Sequence, residues 1–311
     1  MSVPSGGEFG FASDDDAPIP YMTRTREYYA AIGYTTAYRW AHYTSAPFQP
    51  LRKPLENSRI TIITTAAPFD PVKGDQGPDA KYNAGAKFYS VYDGETAKPQ
   101  DLRISHIAYD RVHTSAEDSG TWFPLPQLQR LARTGRIGEV APRFFGAPTN
   151  RSHRVTIEID GPEILKRCKD DRVDAAVLVP NCPVCHQTIS LVARHLEANG
   201  IATIVMGCAK DIVEHAAVPR FLFSDFPLGN SAGKPHDIAS QAFTLELALR
   251  VLEAAPSAQT TVQSPLRWSA DAGWKRDYNN ILALSADELA RRRREFDAQK
   301  EIARSLREST A

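Results

Sequence analysis

One stretch constrains the fold of this chain more than any other: a short valine-rich run that ends in a pair of cysteines and passes directly into an apolar segment. The run at residues 174–179 reads as a buried strand, and Cys182 and Cys185 follow its closing Pro-Asn. Apolar residues then recur with helical spacing as far as residue 196. Pro183 suits the first turn of that helix, because proline has no amide hydrogen to lose there. The stretch therefore predicts a strand, a tight turn and a helix.

The cysteine pair lies where this pattern places the start of the helix. Free amide hydrogens and the positive end of the helix dipole favour a thiolate there, so we expect a depressed pKa for Cys182. Cys185 lies one helical turn further on, within reach as a resolving thiol. Open α/β sheets bind ligands beyond the carboxyl ends of their strands. The sequence thus predicts a reactive dithiol site, and the alternative is two buried cysteines without chemistry.

Strands and helices alternate over most of the remaining chain. This alternation predicts an α/β fold with a doubly wound, mainly parallel sheet and helices on both faces. Asp160 is the expected N-cap of one helix, and residues 72–98 are predicted to form a loop region over the site. The other predicted strands cover residues 59–65, 103–109, 202–206 and 220–223, and the other predicted helices cover residues 23–32, 124–134, 160–169, 209–215, 238–254 and 285–309.

Three regions are predicted. Residues 1–57 form an N-terminal arm whose Gly/Ser/Asp-rich start is expected to be disordered. Residues 58–257 form the α/β catalytic domain, and residues 258–311 form a C-terminal extension with a charged helix. The aromatic density at residues 34–53 indicates packing against a partner subunit rather than a pocket lining, and we expect a homodimer. The arginines at residues 291–294 indicate a solvated helix face, with an anionic partner as the alternative.

Charge and composition exclude several classes of function. Lys plus Arg and Asp plus Glu both number 37, so no overall attraction to nucleic acid or to a membrane surface is predicted. The N-terminus lacks the basic start and apolar core of a secretory signal, and no apolar run approaches the roughly 20 residues of a membrane span. We therefore expect a cytoplasmic protein. In a reducing compartment, four cysteines suggest redox chemistry or metal binding rather than a disulfide framework.

Two cofactor classes can be weighed from the motifs. No Gly-x-Gly-x-x-Gly follows a strand, so a nicotinamide or flavin nucleotide is not predicted, and no bound cofactor is expected. Zinc is the alternative, with Cys182, Cys185 and His186 as ligands and His113 or His153 as a fourth. No second Cys-x-x-Cys supplies the other half of a structural zinc site.

Other candidate site residues lie in predicted loops or at helix starts, where catalytic groups concentrate. We expect His186 or His113 to handle protons; His106, Asp110 and His236 are further candidates. The loop at residues 230–234 offers backbone amides and one cation for a substrate carboxylate. The predicted substrate-binding set is Asn181, Thr188, Cys208, Asp225, Asn230, Gly233 and Lys234.

Cys208 also follows a predicted strand, which raises a second hypothesis. If Cys182 and Cys208 flanked one pocket, they could deprotonate and reprotonate a carbon acid from opposite faces. Asn181-Cys182 and Gly207-Cys208 weakly resemble the strand-end elements of cofactor-independent amino-acid racemases. The simpler interpretation is that Cys208 is a small packing residue.

Longer segments resemble the selenoprotein B family of the glycine/sarcosine/betaine reductases and D-proline reductase, in particular its cysteine-containing bacterial relatives. The resemblance spans roughly the middle two-thirds of the chain. It implies that Cys182 stands where the family has selenocysteine, that Cys182 is the nucleophile and that Cys185 is the resolving thiol. The segments concerned are residues 123–125, 135–138, 141–146, 174–188, 200–211 and 225–235.

The resemblance further implies a substrate held by a pyruvoyl-bearing partner, reductive cleavage of a carbon–nitrogen bond, and reduction by dithiol. No pyruvoyl-generating segment is visible in this chain, and sulfur is a poorer nucleophile than selenium, so an easier bond, C–S or another C–X, is plausible. We expect a thiol-dependent reductase of a small amino-acid-like or carboxylate substrate, with a thioredoxin-like dithiol donor or a reductase partner subunit. The alternatives are a redox-neutral racemase, isomerase or lyase, and a non-catalytic or zinc-binding subunit of a reductase complex.

Overall fold

The computed structural model of this chain describes residues 14–149 and 152–309. Most of the N-terminal start that was predicted to be disordered, residues 1–13, lies outside the described residues. Residues 14–20 are described, and Ile19 is buried in the core.

The bounds of the elements are as follows. The strands are β1 (Arg59–Thr64), β2 (Ala67–Pro68), β3 (Tyr92–Glu95), β4 (Leu102–Arg103), β5 (Glu139–Val140), β6 (Arg143–Gly146), β7 (Ala175–Val179), β8 (Ala202–Gly207), β9 (Arg220–Phe223) and β10 (Thr260–Gln263). The helices are α1 (Tyr21–Ala31), α2 (Leu125–Arg133), α3 (His153–Val155), α4 (Gly161–Asp170), α5 (Pro183–Ala198), α6 (Lys210–His215), α7 (Ile238–Ala254) and α8 (Ala286–Ser309).

An eight-stranded sheet forms the centre of the molecule. Its order is β10-β9-β8-β7-β1-β6-β3, with β5 also paired to β1. All neighbours run parallel except β3 and β6. β1 and β7 are almost wholly buried, as expected of strands that are covered on both faces. Their register pairs Ile60 with Ala175 and Thr64 with Val179.

Helices cover both faces of the sheet, which confirms the predicted doubly wound α/β class. On one face, α4 and α5 bury Ile164, Val192 and Leu196 in the same cluster as the strand residues Leu178 and Val205. On the other face, α2 and α7 bury leucines in one cluster with residues of β1, β7, β8 and β9. Two separate apolar layers therefore hold the sheet.

Some elements differ from the predictions. Of the strand predicted at residues 103–109, only β4 pairs, and it pairs with β2 in a separate two-stranded sheet. The helix predicted to start at Asp160 begins earlier, at α3, where the Ser152 hydroxyl accepts the Val155 amide. Asp160 ends a π-helical turn, Thr156–Asp160, between α3 and α4 and does not cap a helix. Strands β2, β3, β5, β6 and β10 were not predicted, because segments of two to four residues carry little periodicity.

The strand order places the site. β1 lies between β6 and β7, so the chain leaves the carboxyl ends of these neighbouring strands in different directions and opens a crevice there. Thr65 follows β1, Cys182 follows β7 by three residues and Cys208 follows β8. All three therefore lie on the side of the sheet where the parallel strands have their carboxyl ends.

The N-terminal arm packs on its own chain. Its Ala41 amide donates to the Gln187 side chain of α5 at 2.7 Å, and Gln187 donates to the Tyr38 hydroxyl at 2.7 Å. α8 lies against α1 and the arm, with the Phe296 and Tyr34 rings 4.9 Å apart. Within the described residues, no helix combines the length and the apolar content that a bilayer crossing requires.

Candidate active site

The cysteine pair stands at the start of α5, as the sequence predicts. Cys182 is the N-cap, in extended conformation, and Pro183 is the first helical residue. The Cys185 amide donates to the Sγ atom of Cys182 at 3.3 Å. Cys182 is 5% exposed and Cys185 is 0% exposed. The two thiols therefore share one helical turn but differ in access.

A cavity of about 730 Å³ opens onto Cys182. This volume lies in the range of small-molecule sites. Cys182 is the one described cysteine that lines it; Cys185 lies behind. Burial raises the pKa of Tyr29 and Tyr82, so these phenols stay neutral at physiological pH. The aromatic side chains of the lining are Tyr29, Tyr34, Tyr38, Tyr82, Tyr89 and Phe296.

The walls of this cavity come from segments far apart in sequence. α1 and the arm form one wall, and α8 contributes Phe296 and Lys300. Tyr82, Lys87 and Tyr89 come from the segment predicted as a loop over the site, and their lining position confirms that prediction. The arm was predicted to face a partner subunit, but its residues 34–38 line the cavity of their own chain. The expectation that this segment does not line a pocket was therefore wrong, because aromatic density does not reveal what the rings pack against.

His106 is the imidazole that meets the cysteine pair. One ligand atom from each of His106, Cys182 and Cys185 lies within 4.8 Å of the other two. His106 is buried, its Nε2 atom is 2.7 Å from the Thr149 hydroxyl, and its Nδ1 atom has no hydrogen-bond partner. When Nε2 donates its proton to Thr149, Nδ1 presents a lone pair. The sequence named His106 only as one candidate among several.

The ionisation of the dithiol differs from the expectation. Burial raises the pKa of Cys182 well above its usual value, and the hydrogen bond and charge of Cys185 raise it further. Burial also opposes ionisation of Cys185, but the Cys182 thiol, His106 and the Thr65 hydroxyl stabilise its thiolate and lower its pKa well below the usual value. The prediction of a depressed pKa at Cys182 was therefore wrong. Helix-start amides favour a thiolate, but the charge that the two thiols share settles on Cys185, because the neighbouring Cys182, His106 and Thr65 side chains stabilise its thiolate.

His186 has a different place from the one expected. Its Nδ1 atom donates to the Cys182 carbonyl at 2.8 Å, and its Nε2 atom accepts from the Cys208 amide at 2.9 Å. Burial lowers the pKa of His186 to about 4. With both ring nitrogens engaged and the ring neutral, His186 is placed neither for proton transfer nor for metal ligation. It joins the turn after β7 to the turn after β8.

His113 and Asp225 belong to other clusters. His113 lies between Asp110, with Nδ1 to Oδ2 at 3.0 Å, and Asp277, with Nε2 to Oδ2 at 3.2 Å. Asp225 pairs with the buried Lys275 at 2.5 Å and lines a separate, smaller cavity. Neither His113 nor Asp225 lines the Cys182 cavity. The structure therefore does not bring them to the dithiol.

The remaining predicted substrate residues divide in two. The Asn181 amide donates to the Thr65 hydroxyl at 3.2 Å, and Thr65 is one of the groups that lower the pKa of Cys185, so Asn181 supports the dithiol. Thr188 is buried within α5. The Cys208 thiol lies 3.7 Å from the Ser231 hydroxyl, and burial raises its pKa to about 12. Neither Thr188 nor Cys208 lines the cavity.

The predicted anion loop also lies elsewhere. Asn230 donates to the Thr114 hydroxyl and to the Pro227 carbonyl, and the Lys234 amide donates to Ser240 at 2.9 Å. Asn230, Gly233 and Lys234 do not line the cavity. The cations that do line it are Arg26, Lys87 and Lys300. The sequence feature that could have indicated Lys87 as a lining residue is the density of Tyr and Lys at residues 81–92.

Fold and site together define a class: a doubly wound α/β protein with a buried dithiol at the carboxyl edge of its sheet, beneath an aromatic cavity. The family model for glycine/sarcosine/betaine reductase selenoprotein B matches residues 29–181. The matched segment includes His106 and much of the cavity lining, and it ends one residue before Cys182. Over these residues the chain is similar to this family, which confirms the resemblance predicted from the sequence.

Two curated relatives support the same relationship. D-proline reductase subunit gamma of Acetoanaerobium sticklandii is 28% identical over 223 residues, which cover 71% of this chain and 89% of the relative. Glycine reductase complex component B subunit gamma of Peptoclostridium acidaminophilum is 23% identical over 224 residues, which cover 68% of this chain and 49% of the relative. No solved structure matches the chain significantly.

Proposed function

We propose that this chain is the thiol-bearing component of a dithiol-dependent reductase that cleaves a carbon–nitrogen bond in a small amino-acid-like or carboxylate substrate. The names of its relatives, subunits of D-proline reductase and of a glycine reductase complex, support a reductase role and a partner subunit. The proposed chemistry needs no bound cofactor, because the two cysteines supply the electrons and an external dithiol restores them.

One observation carries the proposal: Cys182 lines the cavity, whereas Cys185 lies behind it with no exposed surface. A substrate in the cavity therefore meets the Sγ atom of Cys182 first. The second sulfur lies within 4.8 Å of the first, close enough to resolve an adduct without a large rearrangement. This asymmetry supports attack by Cys182 and resolution by Cys185.

In the first step, the sulfur of Cys182 attacks the substrate carbon and the carbon–nitrogen bond breaks. The electron pair of that bond leaves with the nitrogen, which takes the proton of the Cys182 thiol. The Nδ1 atom of His106, beside both sulfurs and without a hydrogen-bond partner, relays this proton. A carbon–sulfur adduct on Cys182 and a free amine result.

In the second step, the Cys185 thiolate attacks the sulfur of the adduct. The carbon–sulfur bond breaks, its electron pair goes to carbon, and carbon takes a proton. A carboxylate next to that carbon delocalises the developing negative charge. The Cys182–Cys185 disulfide is then reduced by an external dithiol, which returns Cys182 as a thiol and Cys185 as a thiolate and releases one proton. The substrate is thereby reduced by two electrons, and the dithiol is oxidised by two.

The cavity also supplies a charge for the carboxylate. Lys87 lines it, and its charge opposes the rise in the pKa of Cys182, so the ammonium acts on the attacking sulfur. The Nζ atom of Lys87 lies 5.1 Å from the centre of the Tyr82 ring. We assign to Lys87 the carboxylate-holding role that the sequence had placed on Lys234.

The racemase alternative finds less support. It needs Cys182 and Cys208 on opposite faces of one substrate, but Cys208 does not line the cavity and contacts Ser231 instead. With a pKa of about 12, its thiol is also a poor base. A redox-neutral reaction would therefore have to proceed with Cys182 alone.

The test is turnover with and without dithiol, in the presence of cell extract that supplies the partner subunit, on D-proline, glycine and N-alkylated amino acids. We expect turnover to stop without dithiol. We expect Cys185→Ser to accumulate a covalent adduct on the Cys182 peptide, detected by mass spectrometry. Cys208→Ser is the matched control and should turn over as wild type. Undiminished turnover without dithiol, or solvent deuterium at the substrate α-carbon under those conditions, would sink the reductase proposal.

A further inference from the structure

We propose that the reduced site binds a thiophilic divalent cation, Zn²⁺ in the first instance, through His106, Cys182 and Cys185. This inference does not depend on the reductase proposal, because it concerns the resting dithiol and not its turnover. The sequence had suggested zinc with His186 as the third ligand. Both ring nitrogens of His186 form hydrogen bonds with backbone groups. In the structure, His106 is the imidazole that lies beside the two thiols.

The donor set fits the metal. Two thiolates and one imidazole are the soft and borderline ligands that zinc prefers. Their ligand atoms lie within 4.8 Å of one another, whereas a tetrahedral zinc ion holds such atoms roughly 3.5–3.8 Å apart. Rotation of the two thiol side chains and a shift of about 1 Å close this difference. All three residues are buried, so the ion is sheltered from bulk water on the protein side.

The unpartnered nitrogen is the second and independent observation. The Nδ1 atom of His106 is buried without a hydrogen-bond partner, which is costly for a polar atom. The other ring nitrogen lies 2.7 Å from the Thr149 hydroxyl. Metal-bound imidazoles are held in this way: one nitrogen donates to an outer oxygen, and the other keeps its lone pair for the ion. Zn²⁺ would satisfy the atom that the protein leaves unsatisfied.

The surroundings of the sulfurs favour the metal-bound form. The Cys185 amide donates to the Sγ atom of Cys182 at 3.3 Å. Donors aimed at sulfur stabilise the negative charge that a zinc thiolate retains. Metal binding displaces the remaining thiol proton to solvent.

The geometry also leaves one coordination position open. Three protein ligands leave one position of a tetrahedral ion open, and two of them, His106 and Cys182, line the cavity. Water or a small anion from the cavity completes the shell. The ion therefore blocks the nucleophile, and oxidation of the dithiol to a disulfide abolishes the site.

The experiment uses the full chain, reduced with a phosphine and kept free of oxygen. Zn²⁺ is titrated against a chromophoric chelator, and Co²⁺ is added separately to record the thiolate-to-cobalt charge-transfer band and the visible bands of tetrahedral cobalt. We expect one ion per chain and at least a tenfold slower alkylation of Cys182 by iodoacetamide once Zn²⁺ is bound. The disulfide form should bind none.

Variants separate this site from others. Cys182→Ser and Cys185→Ser should each weaken the charge-transfer band, because one thiolate remains, and His106→Gln should weaken Zn²⁺ binding at least tenfold. Cys208→Ser is the matched control and should bind as wild type. Where a variant unfolds too easily to be tested, X-ray absorption of the wild-type zinc complex identifies the ligands instead. We expect its spectrum to show two sulfur ligands and one imidazole nitrogen. No binding by the reduced wild type, unchanged affinity in His106→Gln, or an absorption spectrum without the imidazole would overturn the proposal.

Discussion

The amide of Cys185 donates a hydrogen bond of 3.3 Å to the sulfur of Cys182, across the first turn of α5. This bond joins the cavity-lining member of the dithiol to the member behind it. It is also the helix-start interaction on which the sequence based its expectation of a thiolate at Cys182. In the folded chain, that single amide competes with the burial of the sulfur and with a second sulfur that ionises first.

The first prediction concerns the reactivity of Cys182. The charge and hydrogen bond of Cys185 help to raise the pKa of Cys182, so Cys185→Ser removes a neighbouring negative charge while the backbone amide remains. We expect the alkylation of Cys182 at pH 7 to accelerate about three- to tenfold, since one pKa unit changes the thiolate fraction tenfold. The measurement is the iodoacetamide rate against pH, read on the Cys182 peptide. Cys208→Ser should leave the profile unchanged, and a slower rate in Cys185→Ser would contradict the coupling.

The second prediction concerns pH and stability. The pKa of His186 is about 4 in the folded chain and about 6.5 when unfolded, so the unfolded chain binds more protons between these values. Stability from the neutral ring is present above pH 6.5 and is lost as the pH falls toward 4, by about 3 kcal/mol in all. Urea unfolding of wild type and His186→Gln from pH 7.5 to 4.5 measures it.

In that experiment, His186→Gln should be less stable at pH 7.5 by about 1–3 kcal/mol, because the buried Cys208 amide loses its acceptor and the Cys182 carbonyl loses one of its two donors. Its stability should also fall less steeply with acid than that of wild type. His236→Gln is the matched control, since the His236 side chain is 68% exposed. Parallel pH curves for wild type and His186→Gln would rule out the proposed linkage.

The third prediction distinguishes the two candidate cations. Lys87 lines the cavity and its charge favours the Cys182 thiolate, whereas Lys234 does not line the cavity. Lys87→Met should slow adduct formation at Cys182 about tenfold at limiting substrate, and Lys234→Met should leave it within twofold. The rate of adduct formation in the Cys185→Ser background, followed by mass spectrometry, reports both. An equal loss in the two variants would argue against a role for Lys87.

The fourth prediction concerns the anchor of the arm. Glu197 pairs with Arg220 at 2.7 Å, both wholly buried, and it also accepts the Gln49 amide. The Arg220 guanidinium lies 4.2 Å from the centre of the Phe48 ring. Removing one partner leaves an uncompensated buried charge, so Glu197→Ala should lose about 3–5 kcal/mol of the free energy of unfolding. Faster amide exchange at residues 40–50 should accompany this loss.

The control for the arm is Glu158→Ala, which removes an exposed partner of Arg154. Exposed pairs contribute about 0–1 kcal/mol, so this variant should unfold like wild type. If Glu197→Ala lowered stability without changing exchange in the arm, the anchor would be a core feature only.

Much of the architecture could be predicted because it depends on local pattern. The β-branched run of β1, the valine run of β7 and the helical spacing after Pro183 each specify an element within a few residues. Alternation of such elements then limits the topology to a parallel sheet with helices on both faces. Short edge elements such as β5 and β10 escaped prediction because half-buried segments of two to four residues leave no periodic signal.

The candidate site was predicted only in its centre. Cys182 and Cys185 are neighbours in sequence, so their spacing alone places them on one turn. His106, Thr149 and Lys87 reach the dithiol from irregular segments, and no local pattern distinguishes His106 from His113. His186 is adjacent in sequence to the pair and was therefore a predicted proton-transfer residue. Its ring instead accepts a hydrogen bond from the Cys208 amide, in the turn after β8.

By itself, the sequence determined the doubly wound α/β class, the dithiol at the start of a helix and the family resemblance, because each follows from residues close together in the chain. Only the tertiary structure decided which imidazole meets the thiols, which cation faces the cavity and which sulfur holds the charge. These depend on side chains from distant segments and on the burial of both sulfurs, and desolvation depends on what surrounds an atom rather than on its neighbours in sequence.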